Sequence, residues 1–256
     1  MSHPKTPQRR LRVGLLMTVD APMGGYVIQA MLERGVTIDA LIFDSKIISQ
    51  VDLDLHEERT GGRLPPIGLH TFEHHKIPGY FVANHNSAAT LSLLEQLDLD
   101  ILVNAGTPRI LKNPILNAPR IGVLNCHPGL LPHYRGCSCV EWAIFNDEPV
   151  GNSVHLMTEE IDEGDVLMTE PLSFASDATY QDIRIGVYQA GFELLAEATH
   201  KLNTFVLDRA SFKPQDEGRY YGPIDEDSMA EVLTKVREGR YQYQSLSASN
   251  PPPKSQ

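Results

Sequence analysis

Two residues able to hydrogen-bond one oxygen lie at the end of a single predicted strand. The apolar run Ile121 to Asn125 is typical of a buried strand, and Asn125 and His127 stand two positions apart at its end. Because alternate residues of a strand point to the same face, the amide and the imidazole can contact the same substrate oxygen. The loop that follows, from Pro128 to Gly136, is punctuated by proline and glycine.

A carboxylate follows 35 positions after His127. Asp162 lies in a turn-like segment between two predicted strands, where Gly164 permits a tight bend. Carboxylates crowded together must find cations, metals or protons, or must stay solvated. We interpret most of this acidic segment as a solvated loop and single out Asp162. The acidic neighbours are Glu159, Glu160, Glu163 and Asp165.

Cysteine and histidine near the same strand raise the alternative of a zinc site, since these are the usual zinc ligands. The residues concerned are Cys126, His127, His133, Cys137 and Cys139. However, Cys137 and Cys139 fall in a predicted helix and not in a zinc knuckle, so we predict no metal. We expect these two thiols to pack as small hydrophobic groups near the substrate. Three clustered cysteines are too few for a disulfide framework, which fits a reducing compartment.

The composition favours a cytoplasmic globular protein that acts on small molecules. The chain has 256 residues, of which 41% are hydrophobic, so it can bury a large core. No apolar run approaches the roughly 20 residues of a membrane span, and no apolar signal-peptide core follows the basic start. The formal net charge is −11, and no stripe of lysine and arginine suggests nucleic-acid binding. Small anionic substrates are compatible with this charge, because one or two arginines suffice for a phosphate.

Hydrophobic periodicity predicts alternating strands and helices. Ser87 is expected to cap one clear helix. The stretch Ile67 to Val82 is ambiguous and is predicted as one or two short strands. The remaining strands are predicted at 11–17, 36–43, 100–104, 121–125, 153–158 and 166–174, and the helices at 24–35, 45–59, 87–97, 136–146, 178–207 and 225–238.

This alternation predicts an α/β fold with a doubly wound, mainly parallel Rossmann-like sheet. Ligands of such sheets bind outside the carboxyl ends of the strands. We expect a flexible tail at residues 1–10, a catalytic domain at 11–207, a small C-terminal appendage at 208–244 and a disordered tail at 245–256. The last segment, SLSASNPPPKSQ, is polar and proline-rich.

Three sequence elements together resemble the folate-dependent formyltransferases. They are the Asn125-x-His127 pair at a strand end, the Leu130-Leu131-Pro132 loop with Gly136, and the turn Ile161-Asp162-Glu163-Gly164. The three occur in the order and spacing of that family. The resemblance is strongest from about Asp98 to Leu172. It implies the same Rossmann-like fold and an enzyme that moves a one-carbon formyl group from N10-formyltetrahydrofolate to an amine.

The resemblance also implies roles for individual residues. Asn125 and His127 would hold the formyl oxygen as it becomes an oxyanion. Asp162 would orient His127 and help to move the proton lost by the attacking amine. No metal would be required. The backbone of Arg109, Ile110 and Leu111 would grip the pterin of the folate, together with the loop from Glu159 through Ile161 to Asp162.

The acceptor is predicted by elimination among the members of the family. The loop Thr18 to Tyr26 lacks the Gly- and Ser-rich phosphate loop of the glycinamide ribonucleotide enzymes. The acidic chain also lacks the basic C-terminal barrel of the methionyl-tRNA enzymes. We therefore predict a compact sugar N-formyltransferase that acts on a nucleotide-linked amino sugar of the lipopolysaccharide O-antigen kind, with formylation of hydroxyornithine, methionyl-tRNA or glycinamide ribonucleotide as alternatives. Arg135 and Cys137 are candidate substrate contacts, and a surface salt bridge is an equal alternative for Arg135.

Two further expectations concern binding behaviour. We predict a homodimer, without nucleic-acid or membrane partners, since small members of the family often pair through C-terminal elements. A non-catalytic folate- or nucleotide-binding module on the same fold is an alternative from a different class. The presence of Asn125, His127 and Asp162 together argues against that module, because a binding protein does not need all three. His127 alone would more often be a structural residue.

Overall fold

The structure is a computed structural model that describes residues 9–244. It consists of strands and helices that alternate along most of the chain. The strands are β1 (Val13–Met17), β2 (Ile38–Asp44), β3 (Gly79–Val82), β4 (Ile101–Asn104), β5 (Gly122–His127), β6 (Arg135–Gly136), β7 (Gly151–Leu156), β8 (Val166–Pro171) and β9 (Tyr220–Tyr221). The helices are α1 (Gly24–Glu33), α2 (Gln50–Thr60), α3 (Ala88–Leu97), α4 (Asn113–Leu116), α5 (Cys139–Phe145), α6 (Tyr180–Asn203) and α7 (Glu226–Arg237).

Seven strands form the central sheet in the order β3-β2-β1-β4-β5-β7-β8. The five strands from β3 to β5 are parallel, whereas β7 is antiparallel to both β5 and β8. This arrangement confirms the predicted mainly parallel, doubly wound α/β sheet. In the pairing of β5 with β7, Asn125 lies opposite His155 and His127 lies opposite Ser153. The carboxyl end of β5 therefore meets side chains of β7.

Three apolar clusters hold the elements together. The first joins the sheet to α1 and α6 on one face, and the second packs the opposite face against α3 and α4. The third joins α5, the start of α6 and the C-terminal segment. Strands buried on both faces explain the apolar runs of β1 and β4, whose residues are almost entirely inaccessible to solvent.

Several predicted elements differ from the structure in their bounds. The ambiguous stretch contains one short strand, β3, as predicted, and residues Leu69–His75 before it form a 3₁₀ helix. The helix predicted from residue 45 starts at Gln50. The helix predicted from residue 136 starts instead at Cys139. Gly136 and Ser138 have φ values of 93° and 50°, in the left-handed region, so they cannot belong to the helix. Gly136 pairs with Tyr221 in a small two-stranded parallel sheet formed by β6 and β9.

The segment after α6 lies against α5. Tyr221, Val232, Val236 and Tyr241 are buried in the same apolar cluster as Val140 and Ile144 of α5. The predicted division of the chain into a domain, an appendage and two tails stays a prediction. Residues 1–8 and 245–256 lie outside the described residues. At the start of the described part, Arg9 forms ion pairs with Asp98 and Asp100, and Arg10 forms one with Asp39.

Within residues 9–244, we find no helix with the length and apolar character needed to cross a lipid bilayer.

Candidate active site

The end of β5 and the loop between β7 and β8 bring His127 and Asp162 into contact. The Nδ1 atom of His127 lies 3.2 Å from Oδ2 of Asp162. The Nε2 atom of the same ring lies 2.8 Å from the carbonyl oxygen of Tyr134. His127 is 4% exposed, so water does not replace these partners. The two residues singled out in the sequence are thus adjacent in space.

This geometry indicates which nitrogen of His127 can exchange a proton. A carbonyl oxygen only accepts, so Nε2 of His127 must carry a hydrogen and donate it to Tyr134. Burial lowers the pKa of His127, and the neighbouring Asp162 and the Tyr134 carbonyl oppose that shift. Nδ1 of His127 is therefore the nitrogen that can exchange a proton with the Asp162 carboxylate.

The loop that carries Asp162 is tightly constrained. Asp162 has a φ of 59°, in the left-handed region. The backbone N–H of Gly136 donates to Oδ2 of Asp162 at 2.9 Å. The amide of Gln215 donates to the carbonyl oxygens of Asp162 and Gly164, at 2.8 and 2.7 Å. A Cβ at Gly164 would lie 1.8 Å from the carbonyl oxygen of Leu156, so only glycine fits there.

Asn125 is oriented by a chain of hydrogen bonds. The backbone N–H groups of Gly106 and Thr107 donate to Oδ1 of Asn104. Nδ2 of Asn104 donates to Oδ1 of Asn125 at 2.9 Å, and Nδ2 of Asn125 lies 3.1 Å from Nε2 of His155. Because Nδ1 of His155 faces the carbonyl oxygen of Leu156 at 2.9 Å, Nε2 is left as the acceptor. One hydrogen of the Asn125 amide is then free to meet a ligand.

Asn104 and His155 are functional candidates that the sequence reasoning missed. Asn104 ends the strand predicted at 100–104 and His155 lies in the strand predicted at 153–158, but neither received a role. His155 is 2% exposed, and its Nε2 atom is also 3.6 Å from Oδ1 of Asp162. Burial lowers the pKa of His155, with Asp162 acting in the opposite direction. A histidine inside a predicted buried strand was the available signal, but its partner was set by antiparallel pairing.

The loop after β5 is fastened to β7. The hydroxyl of Ser153 donates to the carbonyl oxygen of Gly129 at 2.7 Å and accepts from the N–H of Leu131 at 3.0 Å. Tyr134 donates its hydroxyl to Glu148 at 2.9 Å. These contacts hold the Tyr134 carbonyl against His127, so the loop is part of the site's geometry.

A cavity of about 200 Å³ opens beside Asn125, between α1, α6 and the ends of β4 and β5. We call it the α1–α6 cavity. Amide groups come from Asn104, Asn125 and Asn152, and aromatic rings come from Tyr188 and Phe192. Its other lining residues are small or apolar, and within residues 9–244 none of the lining residues is Asp, Glu, Lys, Arg or His. The cavity therefore presents a largely apolar wall with an amide at its inner end.

The segments predicted to hold folate lie on the other side of the site. Leu111 is buried, whereas Ile110 and Ile161 are 68% and 46% exposed. The guanidinium of Arg109 donates to both carboxylate oxygens of Asp44, at 2.6 and 2.8 Å, so this side chain is committed to the protein. The backbone contacts predicted for 109–111 stay a prediction.

A direct link joins the two predicted folate segments. The backbone N–H and the Nδ2 group of Asn113 donate to the carboxylate of Glu159, at 3.1 and 2.8 Å. A second cavity, of about 240 Å³, lies between Asn113–Asn117 and Met157–Glu160. Of the residues predicted to contact folate, Glu159 is the one that lines it.

The two candidate substrate contacts lie in different environments. Arg135 is 9% exposed, and its guanidinium donates to Oε1 of Gln215 and to the carbonyl of Asp216. A further nitrogen of Arg135 is 3.6 Å from Glu163. Cys137 is exposed, whereas Cys139 is buried, which raises the pKa of the Cys139 thiol to about 12. The guanidinium of Arg135 is therefore held by other residues of the protein. Cys137 is exposed, so it does not pack as the small hydrophobic group that the sequence predicted.

No metal centre was predicted, and the described residues contain no group of three or more His, Cys, Asp or Glu side chains arranged to hold an ion. Burial raises the pKa of the Cys126 thiol to about 12, with a contribution from Glu170. A thiol in this state is a poor ligand, because metals bind the thiolate. Cys126 instead lines the α1–α6 cavity.

Comparison with known proteins identifies the family of this chain. A family model described as formyl transferase matches residues 47–199, which include Asn125, His127 and Asp162. This chain belongs to the formyl transferase family. A methionyl-tRNA formyltransferase from Caldanaerobacter subterraneus subsp. tengcongensis is 32% identical over 148 residues, covering 57% of this chain and 47% of the relative. Other relatives carry the same description, and the chain spans about half the length of the curated relatives it matches.

Solved structures of formyltransferases share the fold. A sugar N-formyltransferase from Shewanella sp FDAARGOS_354 superposes with a TM-score of 0.57 and 19% identity, covering 93% of this chain and 98% of that one. An N-formyltransferase from Helicobacter canadensis, in complex with folinic acid and dTDP-3-aminofucose, gives a TM-score of 0.58 and 14% identity, covering 89% and 80%. At these identities the likeness concerns the fold.

Proposed function

We propose that this protein transfers the formyl group of N10-formyltetrahydrofolate to an amine. The observation that carries the proposal is the arrangement of three groups around one point. Asn125 lines a cavity, its amide contacts His155, and His155 lies 3.6 Å from the Asp162 carboxylate that contacts His127. Formyl transfer needs these two capacities, a donor for the developing oxyanion and a site that can take up and return a proton.

The reaction is assigned to these residues as follows. The amine nitrogen attacks the formyl carbon, the new C–N bond forms, and the carbonyl electron pair moves to the oxygen. Asn125 donates a hydrogen bond to that oxyanion, an interaction worth about 2.7–4 kcal/mol in comparable sites. A proton from the attacking nitrogen passes to the His127–Asp162 pair and then to N10 of the folate. The bond from carbon to N10 breaks as the carbonyl re-forms.

His127 acts through its position in this proposal. Both ring nitrogens already have protein partners, Tyr134 and Asp162, so a direct bond to the oxyanion requires Nε2 to leave the Tyr134 carbonyl. Asp162 is the better-placed proton acceptor, because Oδ1 and Oδ2 are near His155 and His127 respectively. A carboxylate and two imidazoles around one point can move a proton without large rearrangement.

We further propose that the acceptor is a nucleotide-linked amino sugar, such as those used for lipopolysaccharide O-antigen. The support is threefold: the formal charge of −11, the small apolar cavity, and the extent of overlap with a structure named as a sugar N-formyltransferase. Methionyl-tRNA is the second candidate, favoured by the names of the sequence relatives. The predicted homodimer, cytoplasmic location and absence of nucleic-acid binding belong to the same proposal.

One experiment tests the reaction and separates the acceptors. The protein is incubated with N10-formyltetrahydrofolate and either dTDP-, UDP- and GDP-linked amino sugars or methionyl-tRNA. The mass of each acceptor is then measured. Gain of one CO unit by an amino sugar supports the proposal, and gain by methionyl-tRNA alone selects the second candidate. No formylated product from any amine, although folinic acid binds, would favour the non-catalytic folate-binding module.

His127→Ala tests the assignment of the proton relay within that assay. We expect transfer to fall by at least a factor of about 10², because removal of the imidazole disables general acid–base catalysis. Folate binding, measured with folinic acid, should stay within a few fold of the parent protein. His133→Ala, which changes an exposed histidine of the same loop, is the matched control. Parent-like turnover by His127→Ala would remove His127 from the mechanism.

A further inference from the structure

Behind the Tyr188 wall of the α1–α6 cavity lies a buried ionic cluster that the proposed chemistry does not use. Arg59 of α2 and Arg184 of α6 both face Oε1 of Glu141 on α5, at 3.4 and 3.5 Å. The hydroxyl of Tyr180 donates to the same oxygen at 2.5 Å. We call these residues the Arg59–Glu141–Arg184 cluster. Two guanidiniums face one carboxylate, so the cluster carries an excess positive charge.

The cluster is largely shielded from solvent. The side chains of Glu141 and Arg184 are 1% and 2% exposed, and that of Arg59 is 19% exposed. Burial would raise the pKa of Glu141, but Arg184, Arg59 and Tyr180 together hold that pKa below its ordinary value. Arginine stays protonated at any ordinary pH. The excess charge is therefore permanent and is weakly screened by salt.

Tyr188 connects the cluster to the cavity. Its ring lines the cavity, and the guanidinium carbon of Arg184 lies 4.6 Å from the centroid of that ring. A nitrogen of Arg184 also donates to the Tyr188 hydroxyl. One aromatic ring thus separates the buried positive charge from whatever occupies the cavity.

Two effects then act on an amine that enters the cavity. The lining supplies no carboxylate to pair with an ammonium ion, so loss of water disfavours the charged form. The excess positive charge behind Tyr188 disfavours it again. The Asp162 carboxylate, which is linked to Asn125 through His155, can accept the proton that leaves.

We propose that the α1–α6 cavity selects an acceptor whose amine is attached to an uncharged body and binds it as the free amine, with the Arg59–Glu141–Arg184 cluster opposing the ammonium form. This inference rests on the proposed function, since it assigns the cavity beside Asn125 to the acceptor. The inference adds that the group entering the cavity is an amine on an uncharged body. It also explains why this amine is nucleophilic, since it binds without the extra proton. Charged parts of the acceptor, such as a diphosphate, would stay outside the cavity.

Other ionisable groups surround these elements. They are His56 and Glu58 of α2, Cys139 of α5, Asp225 and Glu226 at the start of α7, Glu170 of β8, the Arg34–Glu193–Glu197 ion pairs across α1 and α6, and His127, His155 and Asp162 at the end of the sheet. Glu58, Asp225 and Glu226 are exposed, so water and salt screen their charges more strongly than those of the cluster. Arg34 with Glu193 and Glu197 carries one net negative charge, which Lys201 offsets at 2.6 Å from Glu197, and this group also reaches the surface.

Benzylamine is a suitable probe, because its uncharged ring matches a small aromatic-lined cavity and its binding needs no formyl donor. The ¹⁵N shift of labelled benzylamine is followed as a function of pH with the full-length protein. We expect the pKa of the bound amine to lie at least about one unit below that of free benzylamine. Benzyltrimethylammonium, which cannot lose its charge, should bind at least about tenfold more weakly.

Substitutions at Arg59 separate charge from structure. Arg59→Gln removes the excess charge and should raise the pKa of the bound amine by about one unit, as expected for one charge at an effective dielectric constant of about 20. Arg59→Lys keeps the charge and should retain the parent value. Arg63→Gln makes the same charge change at an exposed ion pair with Asp182 and is the matched control, with no shift expected.

The results separate this inference from the proposed function. Equal binding of benzylamine and benzyltrimethylammonium, no binding of benzylamine, or an unchanged amine pKa in Arg59→Gln would overturn the inference. Formyl transfer in the mass assay would then still stand on Asn125, His127 and Asp162. Conversely, a shifted amine pKa without any formyl transfer would support the cavity's preference and remove the reaction.

Discussion

The protein contains two buried polar clusters, each connected to the α1–α6 cavity through one residue that lines it, Asn125 for the first and Tyr188 for the second. One consists of His127, His155 and Asp162 at the end of the sheet, and the other is the Arg59–Glu141–Arg184 cluster among the helices. The first is made of imidazole and carboxylate groups, which can exchange protons, and burial lowers the pKa of both of its histidines. The second is made of groups whose charges are fixed. The comparison indicates a division of tasks, in which one cluster handles protons and the other sets the local field.

The two clusters also differ in the structural elements that carry them. The proton-handling cluster is built on strand ends and on a loop in which Asp162 has a positive φ and Gly136 supplies a backbone donor. The fixed-charge cluster joins α2, α5 and α6 through long side chains. A loop fastened by backbone hydrogen bonds positions a short carboxylate tightly, whereas arginines bridge elements that are further apart.

The largest expected effect is the loss of formyl transfer when the proton-handling cluster (His127, His155 and Asp162) is altered. Asp162→Asn keeps the shape of the side chain but cannot accept a proton, so formyl transfer should fall by a factor of about 10²–10⁴. The measurement is kcat with a saturating acceptor, together with its pH profile. Asp165→Asn changes a carboxylate of the same loop that pairs with Arg209, and it should retain near-parental kcat. An unaltered pH profile in Asp162→Asn would end the proposed relay.

The fixed-charge cluster should respond mainly in stability. Glu141→Gln leaves two buried guanidiniums without a carboxylate, and breaking a buried ion pair in this way costs about 3–5 kcal/mol. The free energy of unfolding is measured by urea denaturation. Glu238→Gln removes a carboxylate from an exposed pair with Arg240 and should change that energy by less than about 1 kcal/mol. Equal stability of the two variants would mean that the cluster does not fasten the helices.

The third expected effect is a change in the free energy of unfolding with pH, to which the two clusters contribute differently. Burial lowers the pKa of His85, His127 and His155 in the folded protein, whereas in the unfolded chain they take up protons near the ordinary value of 6.5. The unfolded state therefore binds more protons below that pH, and the free energy of unfolding should fall as the pH drops. For each histidine that stays neutral in the folded protein, the free energy of unfolding should fall by about 1.4 kcal/mol per pH unit.

Urea midpoints at pH 7.5 and at pH 5.5 provide the measurement. Glu141 should not contribute to the change in the free energy of unfolding between these two pH values, because its pKa is held below the ordinary carboxylate value. A flat profile between these two pH values would contradict the buried, neutral state of the three histidines.

Much of the fold could be predicted from the sequence. Apolar runs marked β1, β2, β4 and β5 because strands buried on both faces need few polar residues. The cap at Ser87 was confirmed, since its side chain accepts from the N–H of Thr90. Local rules missed the 3₁₀ helix at residues 69–75 and the conformation of residues 136–138. At residues 136–138 the conformation depends on a left-handed glycine and on pairing with a distant strand, neither of which leaves a periodic signal.

By itself the sequence determined which groups are available for chemistry and in what order they follow one another. Asn125, His127 and Asp162 were recognisable because a strand end and a tight turn have local signatures. The tertiary structure alone decided their partners: Asn104 and His155 lie 21 and 30 positions from Asn125, and Gln215 lies 53 from Asp162. It also decided that Arg135 is engaged by the C-terminal segment and that two arginines share Glu141. Hydrogen bonds and charge pairs act over a few ångströms, so residues far apart in the chain become partners only when the packing of the elements brings them together.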